Sequence, residues 1–156
     1  VCETINGSWG FNLKDRKHKS KKELIQYLIK AAGYDSNLLL NVGPMPNGRI
    51  QKEHIKSLKE IGEWVKVNGE TIYGTSRGPV DPSDEIASTK KDNTIYIHLL
   101  DNKSTYFIEG FNPKIKKLTY YHSQNKVEYQ KTKSGLIVNI NKEELNEIDT
   151  ILKLEI

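Results

Sequence analysis

The four histidines and the single cysteine of this sequence are side chains whose types suit metal binding or nucleophilic chemistry. His98 and His122 fall on predicted strands that are far apart, without cysteines or carboxylates at the spacing of a metal site. His18 lies in a basic loop and His54 in the first turn of a predicted helix, so we expect both rings at the surface. Cys2 opens a predicted strand, where we expect a buried and unreactive thiol. The sequence therefore predicts neither a metal site nor a bound cofactor.

Basic side chains are concentrated in residues 14–22. The chain of 156 residues has a net charge of +4, and only Asp15 opposes the basic residues of this segment, which are Lys14, Arg16, Lys17, Lys19, Lys21 and Lys22. A nucleic-acid site interleaves aromatic with basic side chains, but Trp9 and Phe11 precede the segment. We therefore expect a solvated loop and no nucleic-acid partner. No run of 18 apolar residues occurs, so we expect no membrane-spanning helix.

Residues 1–76 alternate between predicted helix and strand, and these elements must position any functional side chains in the loops between them. Ser20-Lys-Lys-Glu23 is a capping box, apolar residues follow at helical spacing, and we expect Gly33 at the left-handed position that ends the helix. Residues 37–42 are nearly all apolar, which is typical of a parallel strand buried on both faces. A loop with two glycines and two prolines follows. Residues 51–67 then form a second helix, whose apolar stripe is Ile55, Leu58, Ile61, Trp64 and Val65.

One buried strand cannot complete a parallel sheet by itself. Its backbone groups need partners on both sides, so we expect most of a larger α/β domain to lie before Val1. In folds built from βα units, the loops that follow the strands hold the chemistry. The loop at residues 43–48 follows the predicted strand, and we expect its glycines and prolines to serve mainly as turn formers.

Residues 77–156 have a different period, because short runs rich in Ile, Val, Thr and Tyr alternate with turn signals. The predicted strands are residues 85–89, 94–100, 105–109, 116–121, 127–130, 136–140 and 150–156. Strands of this length and spacing are typical of an antiparallel sandwich. Gly, Ser, Pro and Asp cluster at residues 74–82. We therefore expect an α/β segment at residues 1–76 and an all-β domain at residues 77–156.

Three motifs within residues 2–75 resemble one enzyme family. Cys2-Glu-Thr-Ile-Asn-Gly-Ser-Trp-Gly-Phe11 is similar to a family stretch that reads roughly Cys-x-Thr-Ile-Asn-x-Ser-Trp-Gly-Tyr. Asn37-Leu-Leu-Leu-Asn-Val-Gly-Pro-Met-Pro-Asn-Gly-Arg-Ile50 is similar to Asn-Leu-Leu-Leu-Asn-Ile-Gly-Pro-x-x-Asp-Gly-x-Ile. Ile61-Gly-Glu-Trp-Val-Lys-Val-Asn-Gly-Glu-Thr-Ile-Tyr-Gly-Thr75 is similar to Gly-x-Trp-Leu-x-x-Asn-Gly-Glu-Ala-Ile-Tyr-Gly-Thr. Order and spacing match as well, and the family is the retaining α-L-fucosidases of glycoside hydrolase family 29.

The resemblance implies that residues 1–76 are the last βα units of a (β/α)8-type catalytic barrel and that residues 77–156 are a C-terminal antiparallel β-sandwich. It also implies a two-step mechanism with an Asp nucleophile and, in most members, a Glu acid/base about 5 Å away. In the family both carboxylates precede the first of the three motifs, so the resemblance places no catalytic residue in this chain. Glu3 stands at a variable position of its motif and is not carried over.

Trp9 is the one site residue that the resemblance carries over to this chain. In the family an aromatic residue at this place lines the fucose pocket. Fucose presents a methyl group where other hexoses present a hydroxymethyl group, and an aromatic wall gains apolar contact against it. Gly7, Ser8 and Gly10 around Trp9 indicate a loop rather than a core strand. The sequence therefore favours a substrate-binding Trp9 over one that packs inside the barrel.

Two functions from different classes fit these observations. In the first, the chain is part of an α-L-fucosidase that removes terminal α-L-fucose from glycans, and its partners are the fucosylated substrate and the upstream part of the barrel. In the second, it is a stand-alone, non-catalytic sugar-binding or structural module built on the sandwich. The apolar strand at residues 37–42 favours the first, because such a strand belongs inside a barrel. The family's usual habitat implies an extracytoplasmic location.

Overall fold

The computed structural model describes all 156 residues, Val1–Ile156. Two helices and two short strands come first: β1 (Cys2–Thr4), α1 (Lys21–Gly33), β2 (Leu39–Asn41) and α2 (Lys52–Asn68). Eight strands follow: β3 (Ser76–Arg77), β4 (Ile86–Lys91), β5 (Thr94–Leu99), β6 (Thr105–Glu109), β7 (Lys117–Tyr120), β8 (Glu128–Lys131), β9 (Gly135–Asn139) and β10 (Thr150–Glu155). None of the helices combines the length and apolar character needed to cross a membrane.

β1 and β2 form a parallel pair in which Cys2 lies opposite Leu39 and Thr4 opposite Asn41. Because the strands are parallel, the loops that leave them emerge at the same edge. The predicted strand at residues 37–42 is confirmed in its central half. It has one neighbour in this chain, however, so the expected burial on both faces is absent and Leu39 is 57% exposed.

α1 begins at the predicted capping box. The Glu23 amide donates to the Ser20 hydroxyl at 3.2 Å, and the Ser20 amide donates to the Glu23 carboxylate at 2.7 Å. The expected role of Gly33 is wrong, because Gly33 is the last helical residue and Asp35 takes the left-handed conformation at φ 57°. A Cβ on Gly33 would lie 2.8 Å from Pro82 Cγ, so glycine is required there for the close approach of α1 to the chain before β4.

α2 buries a different face from the one predicted. Trp64 is in the core, as expected, whereas Ile55 and Leu58 are exposed. The inward face of the first turns carries His54 and Ser57 instead. The apolar stripe therefore predicted the helix correctly. Only the second half of the stripe, from Ile61 to Val65, faces the core of this chain.

The all-β part is an antiparallel sandwich, and all seven predicted strands are present. The larger sheet has the order β3-β4-β5-β10-β7 and the smaller the order β6-β9-β8. β3 is the one strand that the sequence pattern did not predict. Between the sheets lies a core of fifteen buried side chains: Val80, Ile95, Ile97, Leu99, Tyr106, Ile108, Phe111, Leu118, Tyr120, Val127, Leu136, Val138, Ile140, Leu152 and Leu154.

The two helices pack on the outer face of the five-stranded sheet. Side chains alternate along β5, so Ile95 and Ile97 face the sandwich core while Tyr96 faces the helices. The second core consists of Ile25, Ile29, Trp64, Ile72, Ala87, Tyr96, Leu100 and Ile151. The Gln26 side chain adds a polar link by donating to the carbonyls of Leu100 at 2.6 Å and Ile148 at 3.0 Å. The α/β segment and the sandwich therefore share one packed interface.

Candidate functional site

Trp9 lies in the loop after β1, at the edge where both parallel strands end. Its side chain is 57% exposed and belongs to neither hydrophobic core. Its backbone carbonyl accepts a hydrogen bond from the Asn41 side-chain amide at 2.6 Å, and Asn41 is the last residue of β2. An exposed indole whose main chain is tied to a strand end can present an aromatic wall to a ligand.

The loop after β2 lies directly against the Trp9 loop, which is residues 5–20 between β1 and α1. A Cβ on Gly43 would be 2.7 Å from the carbonyl carbon of Gly10 and 2.8 Å from the Phe11 nitrogen. Gly43 is therefore a close-approach glycine, and its expected role as a turn former is wrong. Gly48 does form a turn, because its φ is 77° and its amide donates to the Met45 carbonyl at 2.8 Å.

Glu3 and Lys19 tie the beginning and the end of the Trp9 loop together. Their side chains form an ion pair at 3.0 Å, and Lys19 also donates to the carbonyls of Thr4 at 2.9 Å and Asn6 at 3.3 Å. The expectation that the whole basic segment is solvated is therefore wrong for Lys19. The Thr4 amide, and after it the Lys19 ammonium, hold the pKa of Glu3 below its ordinary value. Glu3 is accordingly an ionised structural carboxylate.

Asp15 is the other carboxylate of the Trp9 loop. The Ser8 side chain holds the pKa of Asp15 below its ordinary value. A general acid at neutral pH needs a carboxyl group whose pKa is raised. Both carboxylates at this edge have the opposite shift, so neither Glu3 nor Asp15 suits proton donation to a leaving group.

His54 is buried, contrary to the surface position expected from the sequence. It is 1% exposed, and its ring packs edge-on against the His18 ring with 5.3 Å between centroids. His18 is half-buried rather than solvated, and its Nδ1 donates to the Arg16 carbonyl at 3.1 Å. Burial, and secondly the nearby His18, lower the pKa of His54. The packing of the two rings holds the end of the Trp9 loop against the first turn of α2.

The remaining candidates lie away from this edge or do not form a site. Cys2 is exposed rather than buried, because β1 has one neighbour in this chain. His122 lies in a turn after β7, not on a strand, with its ring against Tyr121. No three His, Cys, Asp or Glu side chains are placed together as a metal site. Sequence reasoning missed the fully buried pair of His98 and Asp149, whose Nδ1 and Oδ2 are 2.7 Å apart, because the two stand 51 residues apart.

Comparison with known proteins finds similarity to alpha-L-fucosidases. A family model described as alpha-L-fucosidase matches residues 1–70. The alpha-L-fucosidase of Branchiostoma floridae is 32% identical over 106 residues, which are 64% of this chain and 24% of that protein. The plasma alpha-L-fucosidase of Homo sapiens is 32% identical over 103 residues, which are 61% of this chain and 22% of that protein. The chain thus spans about a quarter of the curated relatives that it matches.

Solved structures match the chain from end to end. Alpha-L-fucosidase isoenzyme 1 from Paenibacillus thiaminolyticus aligns with a TM-score of 0.85 at 29% identity, over 99% of this chain and 38% of that one. The Thermotoga maritima alpha-fucosidase in complex with fucose aligns with a TM-score of 0.86 at 26% identity, over 98% and 38%. These matches include the sandwich, where the sequence shows no motif. They confirm the expected fold class, the end of a (β/α)-type barrel followed by a β-sandwich.

Proposed function

Because the chain belongs to the α-L-fucosidase family, glycoside hydrolase family 29, we propose that it forms the C-terminal part of a retaining α-L-fucosidase. The observation that carries the proposal is the alignment of the whole chain, helices and sandwich together, with solved α-L-fucosidases. The first two sequence motifs fall on β1 and on β2, each with the loop that follows it, and these build the edge at which Trp9 lies. The third motif falls on the second half of α2 and the residues after it.

The proposed reaction is removal of terminal α-L-fucose from a glycan with retention of the anomeric configuration. Retention requires a nucleophilic carboxylate and a general acid about 5–5.5 Å apart. Glu3 is held by Lys19, and the pKa values of Glu3 and Asp15 are lowered, so this chain's own edge does not provide the acid. We assign the Asp nucleophile and the Glu acid/base to the part of the barrel that completes this fold.

Trp9 is the substrate-binding residue that this chain contributes. Its ring is large, apolar and largely exposed at the carboxyl end of β1, the edge at which barrel enzymes hold substrate. The indole would contact the C6 methyl group of fucose. Such an apolar contact gains affinity but rejects a hydroxyl-bearing sugar only weakly. Selectivity for fucose must therefore also depend on polar groups elsewhere in the pocket.

The rest of the barrel is the macromolecular partner that the proposal requires. Large apolar side chains are exposed on the α/β segment, namely Leu13, Leu39, Ile55, Leu58, Val67 and Tyr73. β1 and β2 also leave sheet edges open in this chain. A division into a barrel end at residues 1–76 and a sandwich at 77–156 fits this pattern, because the exposed apolar side chains concentrate in the first part. The same open edges weigh against a stand-alone module.

The proposed location of the enzyme is extracytoplasmic. Among the relatives are plasma alpha-L-fucosidases of Homo sapiens and Rattus norvegicus and a tissue alpha-L-fucosidase of Mus musculus.

The test is hydrolysis of an aryl α-L-fucoside, followed by proton NMR of the sugar that is first released. We expect the complete protein that contains this sequence to release the α-anomer, and we expect residues 1–156 alone to give no turnover. First release of the β-anomer would refute the retaining mechanism. Turnover by the purified 156-residue chain, free of the complete enzyme, would refute the assignment of both carboxylates to the rest of the barrel.

A further inference from the structure

We propose that Asn41 is a positioning residue for Trp9, acting across the two strands to fix the direction in which the indole faces the sugar. The inference rests on the proposed function, because it concerns the same fucose pocket. Asn41 donates from Nδ2 to the Trp9 carbonyl at 2.6 Å, across 32 residues of sequence. The bond joins the end of β2 to the middle of the loop that follows β1.

The part of the Trp9 loop next to Trp9, residues 8–10, has few hydrogen bonds of its own. Trp9 stands between Ser8 and Gly10, and a Cβ on Gly10 would meet no atom within 4 Å, so that side of Gly10 is open. The Ser8 hydroxyl accepts from the Asn12 side chain at 3.3 Å, a link that stays within the loop. The glycine that follows the exposed indole, and Gly7 two residues before it, leave the backbone here free to rotate unless another element holds it. Asn41 provides that hold from a strand.

Gly43 completes the support from the same direction. Its backbone lies so close to Gly10 and Phe11 that a methyl group there would be 2.7–2.8 Å from their main-chain atoms. The end of β2 and the loop that follows it therefore pack against the Trp9 loop. Asn41 bonds to the Trp9 carbonyl, and Gly43 contacts the main chain of Gly10 and Phe11. Both residues belong to the motif at residues 37–50. Asn41 thus holds Trp9 itself, and Gly43 supports the residue after it.

The chemistry explains why an asparagine suits position 41. A backbone carbonyl can only accept, so its partner must donate, and a side-chain amide donates while a carboxylate does not. Asn37 is a matched control, because it is the same residue type just before the other end of β2 and its exposed side chain makes no hydrogen bond to the Trp9 loop. Comparing the two positions separates the Trp9 bond from a general effect of asparagine in this segment.

The experiment is a double-mutant cycle in the complete enzyme, using Trp9→Ala, Asn41→Ala, both together, and Asn37→Ala. Each variant is assayed on an aryl α-L-fucoside and on the corresponding aryl β-D-arabinopyranoside, which is the same sugar without the C6 methyl group. Loss of the Trp9 contact sets the upper limit, about 10- to 100-fold in kcat/KM for the fucoside. We expect Asn41→Ala to lose about 10-fold on the fucoside, much less on the arabinoside, and little more when Trp9 is already alanine.

Gly43→Ala is the second variant, because it disturbs the same loop without removing the amide. We expect it too to reduce the preference for fucoside over arabinoside, while Asn37→Ala leaves that preference unchanged. The inference is overturned if Asn41→Ala lowers both substrates equally, or if its loss adds in full to that of Trp9→Ala. A complete wild-type enzyme without fucosidase activity refutes the proposed function itself. Wild-type activity with an additive cycle refutes only the role of Asn41.

Discussion

Gly33 offers the sharpest test of how the barrel segment meets the sandwich. An alanine methyl at this position would lie 2.8 Å from Pro82 Cγ and 3.3 Å from the Ser88 carbonyl oxygen. Favourable carbon–carbon contacts are about 3.5–4.0 Å, so the helix or the proline must move. Overpacking of this kind costs about 1–3 kcal/mol, whereas alanine in a helix gains at most about 1 kcal/mol over glycine. We expect the steric cost to exceed the gain.

The expected net effect of Gly33→Ala is a loss of about 1–2 kcal/mol in the free energy of unfolding. The chain spans 38% of a solved relative, and the Tm shift per kcal/mol falls with protein size, so in the complete protein we expect Tm to fall by no more than about 2–4 °C. Thermal unfolding of wild type, Gly33→Ala, Pro82→Ala and the double variant measures it. Removing the proline ring should relieve part of the loss, with a coupling free energy of at least about 0.5 kcal/mol.

The control distinguishes contact from backbone conformation. If glycine at position 33 were needed for a left-handed φ, Pro82→Ala would give no relief, because the strain would remain in the backbone. A neutral or stabilising Gly33→Ala, or an unchanged loss in the Pro82→Ala background, would refute the close-approach reasoning.

Two further predictions concern the Trp9 loop. Trp9→Ala in the complete enzyme should lower kcat/KM for fucosides about 10- to 100-fold. Tm should stay nearly constant, because Trp9 is 57% exposed and lies outside both cores. Unchanged kinetics with a Tm lower by several degrees would show that Trp9 is a core residue instead. Burial, and then His18, lower the pKa of His54 below 6.5 in the folded protein, while Asp15 and Glu53 oppose this weakly. Unfolded His54 therefore binds a proton first as the pH falls, so stability is full above about pH 6.5 and decreases below it. His54→Gln should flatten urea-denaturation midpoints measured between about pH 7 and pH 5, and an unchanged pH slope would contradict a neutral buried His54.

Much of the local structure could be predicted from the sequence because it depends on residues close together in the chain. The capping box at Ser20 and Glu23 fixed the start of α1 through hydrogen bonds three residues apart. The seven strands of the sandwich followed from alternation of apolar residues and from turn residues between them. The three motifs identified the family, since they occur in order along a continuous stretch.

Contacts between distant segments were decided only by the tertiary structure. The spacing of His54 suggested a surface position, yet packing against His18 buries it. His98 and Asp149 meet across β5 and the chain before β10, and no local pattern joins residues 51 positions apart. Gly33 and Gly43 look like turn glycines in sequence. Only the approach of Pro82 to the first, and of Gly10 to the second, shows that both are needed for space rather than for backbone conformation. Periodicity records which side of an element is apolar, but the partner that covers that side comes from elsewhere in the chain, and its distance and shape are set by packing.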